Sequence, residues 1–263
     1  MKQIALEEFN RLDELAWQKI HADFVDIMPE YFHTSSVEDR LSDLTPEVIT
    51  GQEHRRLAIR TLFRHLNGSY SYQVMHLLGR WFYFEDWYKG DTQLRHESVD
   101  KLLDFFKQDR VWHGQYVSDF VASICKEERR DVYEAQNSFV RAGVSFSLEY
   151  MIQPRLKVDR DRYMSNLCEL ISDRCYGCGR ESLIVPFSRM ASEEVIPTLL
   201  QLLDDPDVLH EVIPAIARLK VKAAIPPLEK IISGKGFDEQ YAPSRYLISV
   251  DKAMKALKKL RAI

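Results

Sequence analysis

Turn-forming residues are scarce in this chain. Glycine and proline number 10 each among 263 residues, so tight turns are few. That favours long helices joined by short loops over a succession of short strands. Cysteine occurs four times, at Cys125, Cys168, Cys175 and Cys178. In a chain this large, without a secretory signature, these read as reduced cytosolic thiols and not as a disulfide framework. No window approaches 18 consecutive apolar residues, which excludes a membrane span. The amino terminus, MKQIALEEFNRLDELAW, carries acids in its first turns and no uninterrupted apolar stretch, so it does not read as a signal peptide. The expectation is a cytoplasmic protein with no membrane partner.

The short motifs that mark common active sites are missing too. There is no GxSxG, no phosphate-binding GxxxxGK, no GxGxxG and no HExxH. The eight histidines are scattered, with no pair at helical metal-binding spacing. No cofactor and no standard catalytic centre are expected.

Apolar residues make up 45% of the chain and charged residues 29%, enough for a packed core in one large domain or two modest ones. The net charge is −4, from 36 basic and 40 acidic residues, which argues mildly against a general nucleic-acid binder. Periodicity is helical almost throughout. Phe9, Leu12, Ala16, Ile20, Phe24 and Ile27 step by three and four until Pro29 stops the helix. Ala58, Ile59, Leu62, Phe63 and Leu66 repeat the pattern. Val117, Phe120, Val121 and Ile124 form another stripe, as do Phe139, Gly143, Phe146 and Tyr150. No apolar/polar alternation is sustained beside hairpin chemistry, and the fold class expected is all-α.

From about Ser182 the chain repeats itself. LIVPFSRMASEEVIPTLLQLLDD (183–205) aligns with VIPAIARLKVKAAIPPLEKIISG (212–234) at a shift of 29. Arg189 falls on Arg218, Ile196 on Ile225, Pro197 on Pro226 and Leu199 on Leu228. Each unit reads as a helix, a short turn and a second helix with proline near its start, where a missing N–H costs nothing. Val208, Val212, Ile216 and Leu219 make one further stripe; Val250, Ala253, Leu257 and Leu260 make the last. Asp204-Asp205-Pro206-Asp207 supplies a turn and an acidic start to the next helix, which suits its dipole. The stretch 182–263 resembles the HEAT repeat, particularly the short bacterial form with an IPxLLxLLDDPD helix. The resemblance implies an α–α superhelix over 181–263, closed by a lysine-rich capping helix after an insertion at 234–249. Residues 1–180 show no period and are expected to be a less regular helical region of degenerate repeats.

Charge is uneven. Residues 218–263 hold 11 basic and 4 acidic groups, a net of +7, while the rest of the chain sums to −11. A basic C-terminal cap on an acidic body is a real polarity, although lysines on the outer face of a last helix are commonly only solubilising.

Four clusters could carry chemistry. Residues 70–88 hold eight aromatics, among them Trp81, Tyr83 and Trp87. Consecutive Trp81-Phe82-Tyr83-Phe84 cannot all face one core, so the segment is either sandwiched between helical layers or presents rings to a partner. Arg56, Arg60 and Arg64 recur at four-residue spacing, extended by Arg55 and His65. They form either a solvated helix face or a cationic strip for carboxylate or phosphate. Cys175-Tyr-Gly-Cys178-Gly, preceded by Cys168, is a metal half-site without a second pair, and buried or loop cysteines are the plainer reading. Lastly, Arg141-Ala-Gly-Val-Ser-Phe-Ser-Leu-Glu-Tyr150 resembles a helix of bacterial HEAT-like alkylpurine DNA glycosylases. Those enzymes cradle a modified base between tryptophans, with an aspartate shortly after the first. Trp112 would serve here, but Asp119 lies seven residues on where four are expected.

The function expected is non-enzymatic binding of another protein, as an adaptor or an immunity-type protein that neutralises a toxin. The alternative is a DNA-binding glycosylase using Trp112, Arg141 and the arginine strip.

Overall fold

In the computed structural model, residues 2–27, 49, 51–66, 74, 88, 90–108, 116–118, 122–123, 132–190, 194–234 and 243–262 are described. The chain is predominantly helical, as its few glycines and prolines predict. It divides into two compact units, Met1–Met151 and Ile152–Ile263. The division falls before the 180/181 boundary suggested by the repeat alone, because the helix preceding the repeat packs onto it.

The first unit contains helices α1 (Leu6–Ile27), α2 (Gln52–Arg64), α3 (Thr92–Phe106) and α4 (Val132–Met151). Pro29, expected to stop α1, lies outside the described residues. Ala16, Ile20 and Phe24 of its stripe are buried, as are Ala58, Ile59, Leu62, Phe63 and Leu66 on and just beyond α2. At the outer end of α2, His65 Nε2 lies 3.1 Å from Asp23 Oδ2 of α1.

Two findings in this unit depart from the periodicity. Val117 belongs to a strand, not a helix: β1 (Lys2–Ile4) pairs in parallel with β2 (Tyr116–Ser118), Gln3 opposite Val117. A three-residue parallel pair is marginal alone, and here α1 packs against β2. The second departure is the inward face of α4. The stripe Phe139–Gly143–Phe146–Tyr150 faces out, with Phe139 62% exposed, while Val140, Val144, Leu148 and Met151 are buried. Both sets recur every three or four residues, so spacing does not choose between them. The set of smaller side chains lies inward on a helix that packs against α3, and Phe146 and Tyr150 meet edge to face at 4.9 Å.

α3 and α4 cap each other. Arg95, in the first turn of α3, donates from Nη1 to the carbonyl of Met151 at the end of α4, 2.8 Å. Arg141 of α4 donates from Nε to the carbonyl of Phe106, the last residue of α3, 3.1 Å, and from Nη2 to that of Gln108, 2.5 Å. Helix C-termini leave four carbonyls unpaired, and each buried guanidinium satisfies some of them. These contacts make the helices antiparallel. From residue 95 to 106 α3 travels about 16 Å, and from 151 back to 141 α4 travels about 15 Å, at 1.5 Å per residue.

The second unit contains α5 (Lys157–Ser172), a 3₁₀ segment (Arg174–Leu183), α6 (Ile184–Arg189), α7 (Val195–Gln201), α8 (Leu209–Leu219), α9 (Ile225–Ile232) and α10 (Pro243–Arg261). The two repeated sequences are therefore two helix pairs, α6–α7 and α8–α9. Pro226 and Pro227 sit in the first turn of α9, where no N–H is needed. α8 packs on both helices of the preceding pair, and α10 on both helices of its own preceding pair. The core is aliphatic: Leu199, Val212, Ile213, Ile216, Leu228, Ala253 and Leu260 are all at most 1% exposed.

α8 also contacts α6 through a polar side chain. Arg218 Nη2 donates to Ser188 Oγ, and Arg218 feels the charge of Arg189, its counterpart 29 residues earlier. Burial, and secondarily that like charge, hold the Arg218 guanidinium below its ordinary value.

Candidate functional site

The arginine strip of α2 faces α3. Gly51 precedes α2 without a side-chain cap, and Asp91 caps α3 by accepting from the backbone N–H of Leu94 at 3.0 Å. The other oxygen of Asp91 accepts from Arg56 Nε at 2.5 Å, while Arg56 Nη1 reaches Glu53 at 2.9 Å. The Arg56 hydrogen bond holds the Asp91 carboxyl down to about 2, against the opposing effect of its burial. Arg60 lies 3.7 Å from Glu97, six residues beyond Asp91 on α3. Arg64 is exposed at the end of α2. Arg56 and Arg60 thus face carboxylates of the same unit, and the strip bridges α2 to α3.

Arg141 is 6% exposed, with its guanidinium turned to the carbonyls at the end of α3 and over the Phe106 ring, 5.9 Å from its centroid. Glu97 and Phe106 are about 14 Å apart along α3 at 1.5 Å per residue, so Arg141 does not join the strip in one site. Trp81, Tyr83, Trp87 and Trp112 lie outside the described residues, as does Asp119. Of the aromatics between 70 and 88, Tyr88 is described. It is buried, and burial pushes its hydroxyl well above the ordinary phenol value, an effect that the nearby Ser98 and Arg95 offset only in part.

In the second unit, Arg180 is fully buried and holds the Cys175-X-X-Cys178 loop. Its Nε donates to the Gly177 carbonyl (2.9 Å), its Nη1 to the carbonyl of Ile171 at the end of α5 (2.7 Å) and its Nη2 to Asp205 (2.8 Å). Gly177 has φ +52°, a conformation that glycine adopts at little cost. Cys175 is exposed, Cys178 half-buried, and Cys168 Sγ lies 3.5 Å from Thr198 Oγ1. Among the described residues no three His, Cys, Asp or Glu side chains are disposed to hold a metal. Cys168 also lines a pocket of about 730 Å³ with Met164, Phe187 and Met190, rimmed by Arg160 and Glu194.

Among the described residues of this unit, the most exposed large apolar side chain is on α10. Leu247 is 66% exposed, and Ile248 and Met254 are both 51%. An open groove of about 730 Å³ runs between α9 and α10, floored by Ile232, Met254 and Leu257 and edged by Lys258 and Arg261. The stripe 250–253–257–260 accounts for the inward face of α10 but not for these residues. The signal was present: Leu247, Ile248 and Met254 are apolar residues that fall off the 250–253–257–260 stripe, and a helix with a second apolar face has more than one neighbour to satisfy. Among the described residues no helix is long and apolar enough to cross a membrane.

Set against known protein families, curated proteins and solved structures, the chain matches none of them.

Proposed function

We propose that this chain is a non-enzymatic, cytoplasmic binding protein whose second unit is a HEAT-like stack of helix pairs, acting as an adaptor or an immunity-type protein on another protein. The observation that carries the reading is the stacking of successive helix pairs, α8 packing on both α6 and α7 and α10 on both α8 and α9, with Arg218 of the second pair hydrogen-bonded to Ser188 of the first. Stacked pairs that keep such a register bury their shared faces and leave extended surfaces open to partners. The acidic remainder of the chain, net −11 outside 218–263, would speed encounter with a basic partner such as a toxin's active face. The glycosylase alternative draws less support, because Arg141, Arg56 and Arg60 face carbonyls or carboxylates of their own unit.

The test is purification of the tagged chain from its native cell at near-physiological salt, followed by native mass spectrometry. A partner at fixed stoichiometry is the expected result. Recovery of the chain alone, together with salt-dependent binding to duplex DNA that is lost when the exposed Arg64 is changed (Arg64→Ala), would shift the assignment to the alternative.

A further inference from the structure

We propose that the groove between α9 and α10 docks an amphipathic helix with acidic flanks, contributed by a partner protein. The site adds to the function proposed above and does not depend on the acidic body having a partner of its own. The groove combines an apolar floor with a cationic edge. Ile232, Met254 and Leu257 line it, and Met254 remains half exposed. Leu247 continues the same edge one heptad before Met254, and Lys258 and Arg261 follow at one-turn intervals. From 247 to 261 that edge is about 21 Å long at 1.5 Å per residue, the length of roughly four turns of a docked helix. Among the described residues lining the groove, Glu229 is the one acidic group, and Arg261 is ion-paired to it.

Charge selects the partner. From 247 to 261 the helix carries five basic residues and one acid, Asp251, which already faces Lys255. Among the described residues no carboxylate is within ion-pairing distance of Lys258 or Lys259, and both are exposed. A basic last turn suits the helix dipole by itself, but the dipole does not account for Leu247, Ile248 and Met254 in water. An apolar seam bordered by lysines matches a helix with apolar anchors at i, i+3/i+4 and i+7 and Glu or Asp beside them. The shape also follows from the pairing pattern. α6 is followed by α7 and α8 by α9, and the groove lies beside α9 and α10, where the second helix of a third pair would pack.

The test uses the full chain and two fluorescent 18-residue helical peptides with the same leucine face, one flanked by glutamates and the other by lysines. Fluorescence anisotropy should show the glutamate peptide binding at least about tenfold more tightly than the lysine peptide, with the difference shrinking as salt rises. Met254→Asp and Lys258→Glu each alter an exposed side chain, so thermal melts should match the parent while affinity for the glutamate peptide falls about tenfold. Equal binding of both peptides, or binding untouched by either variant, would overturn the proposal. So would tighter association with phosphatidylserine vesicles or a 20-base-pair duplex, or self-association by sedimentation that Met254→Asp abolishes. A stoichiometric cellular partner whose cross-links avoid α9 and α10 would overturn this site while leaving the wider binding function intact.

Discussion

Lys252 completes a hydrogen bond that Pro214 removes. Pro214 lies inside α8 and has no N–H to offer the carbonyl of His210, four residues earlier. Lys252 of α10 donates to that carbonyl from Nζ at 2.7 Å, and to Glu211 Oε1 at 3.2 Å. The terminal helix is thereby tied to the preceding pair by a polar contact as well as by Ala253 and Leu260. Lys252→Met should cost about 1–2 kcal/mol, the range for a partly buried charged donor. In a Pro214→Ala background the new N–H serves His210, and the same change should cost about half as much. Urea denaturation of the four variants reads the coupling; identical costs in both backgrounds would refute the relationship.

Arg180 and Asp205 are both essentially inaccessible, at 0% and 1% exposure. Removing one partner of such a pair leaves a buried charge, although Arg174 stands 3.6 Å from Asp205 and offsets part of it. Arg180→Met should therefore lower stability by about 3–5 kcal/mol. It also strips two carbonyls, of Ile171 and Gly177, of their donor. Adding Asp205→Asn to Arg180→Met should recover part of the loss, as measured by chemical denaturation. A double variant less stable than the single one would show that the charge itself is not the dominant cost.

Asp91 links cap and ion pair in one side chain. Its carboxyl is held at about 2 in the folded state against an ordinary 3.8. A depressed folded value means that the contribution is fully present above about pH 4–5 and is lost as pH falls from about 4 to about 2. Its size is on the order of 1–2 kcal/mol, reduced from the full shift because Arg56 is partly exposed. Asp91→Asn should flatten this part of the acid-stability curve, while its side-chain oxygen can still cap α3. An unchanged curve would remove Asp91 from the account.

Arg141 is placed as a helix cap. Arg141→Met should lower the melting temperature of the first unit, with a loss of about 2–3 kcal/mol for two charged hydrogen bonds to carbonyls. Arg141→Lys should recover only part of this, since one ammonium does not reproduce the forked geometry. Were Arg141 a ligand-binding group, the melting temperature would hold while binding fell.

The helices themselves were legible from local signals. Stripes on α1, α2, α8 and α10 include most of the buried residues of those helices, among them Ala16, Ile20, Phe24, Val212, Ile216, Ala253 and Leu260, and Pro226 and the Asp204–Asp207 turn fall at helix boundaries. The repeat at a shift of 29 forecast two helix pairs, which are present. Elsewhere local signals were silent or pointed the wrong way. α4 carries apolar residues on two faces, and spacing ranks neither. Val117 sits in a three-residue strand whose partner is more than a hundred residues away. The arginines at 56, 60 and 141 were recognised as unusual, but their partners Asp91, Glu97, Phe106 and Gln108 come from a different helix.

Sequence alone determined the helical class, several of the helices, where the repeated units begin and how charge is split along the chain. These depend on propensity, caps and periodicity within a few residues. Tertiary structure decided which face of α4 lies inward, which carbonyl each buried arginine serves and which side chains of α10 stay in water. Each of those outcomes depends on a neighbour distant in the chain: burial and hydrogen bonding are settled by whichever surface arrives, and local spacing does not encode that surface.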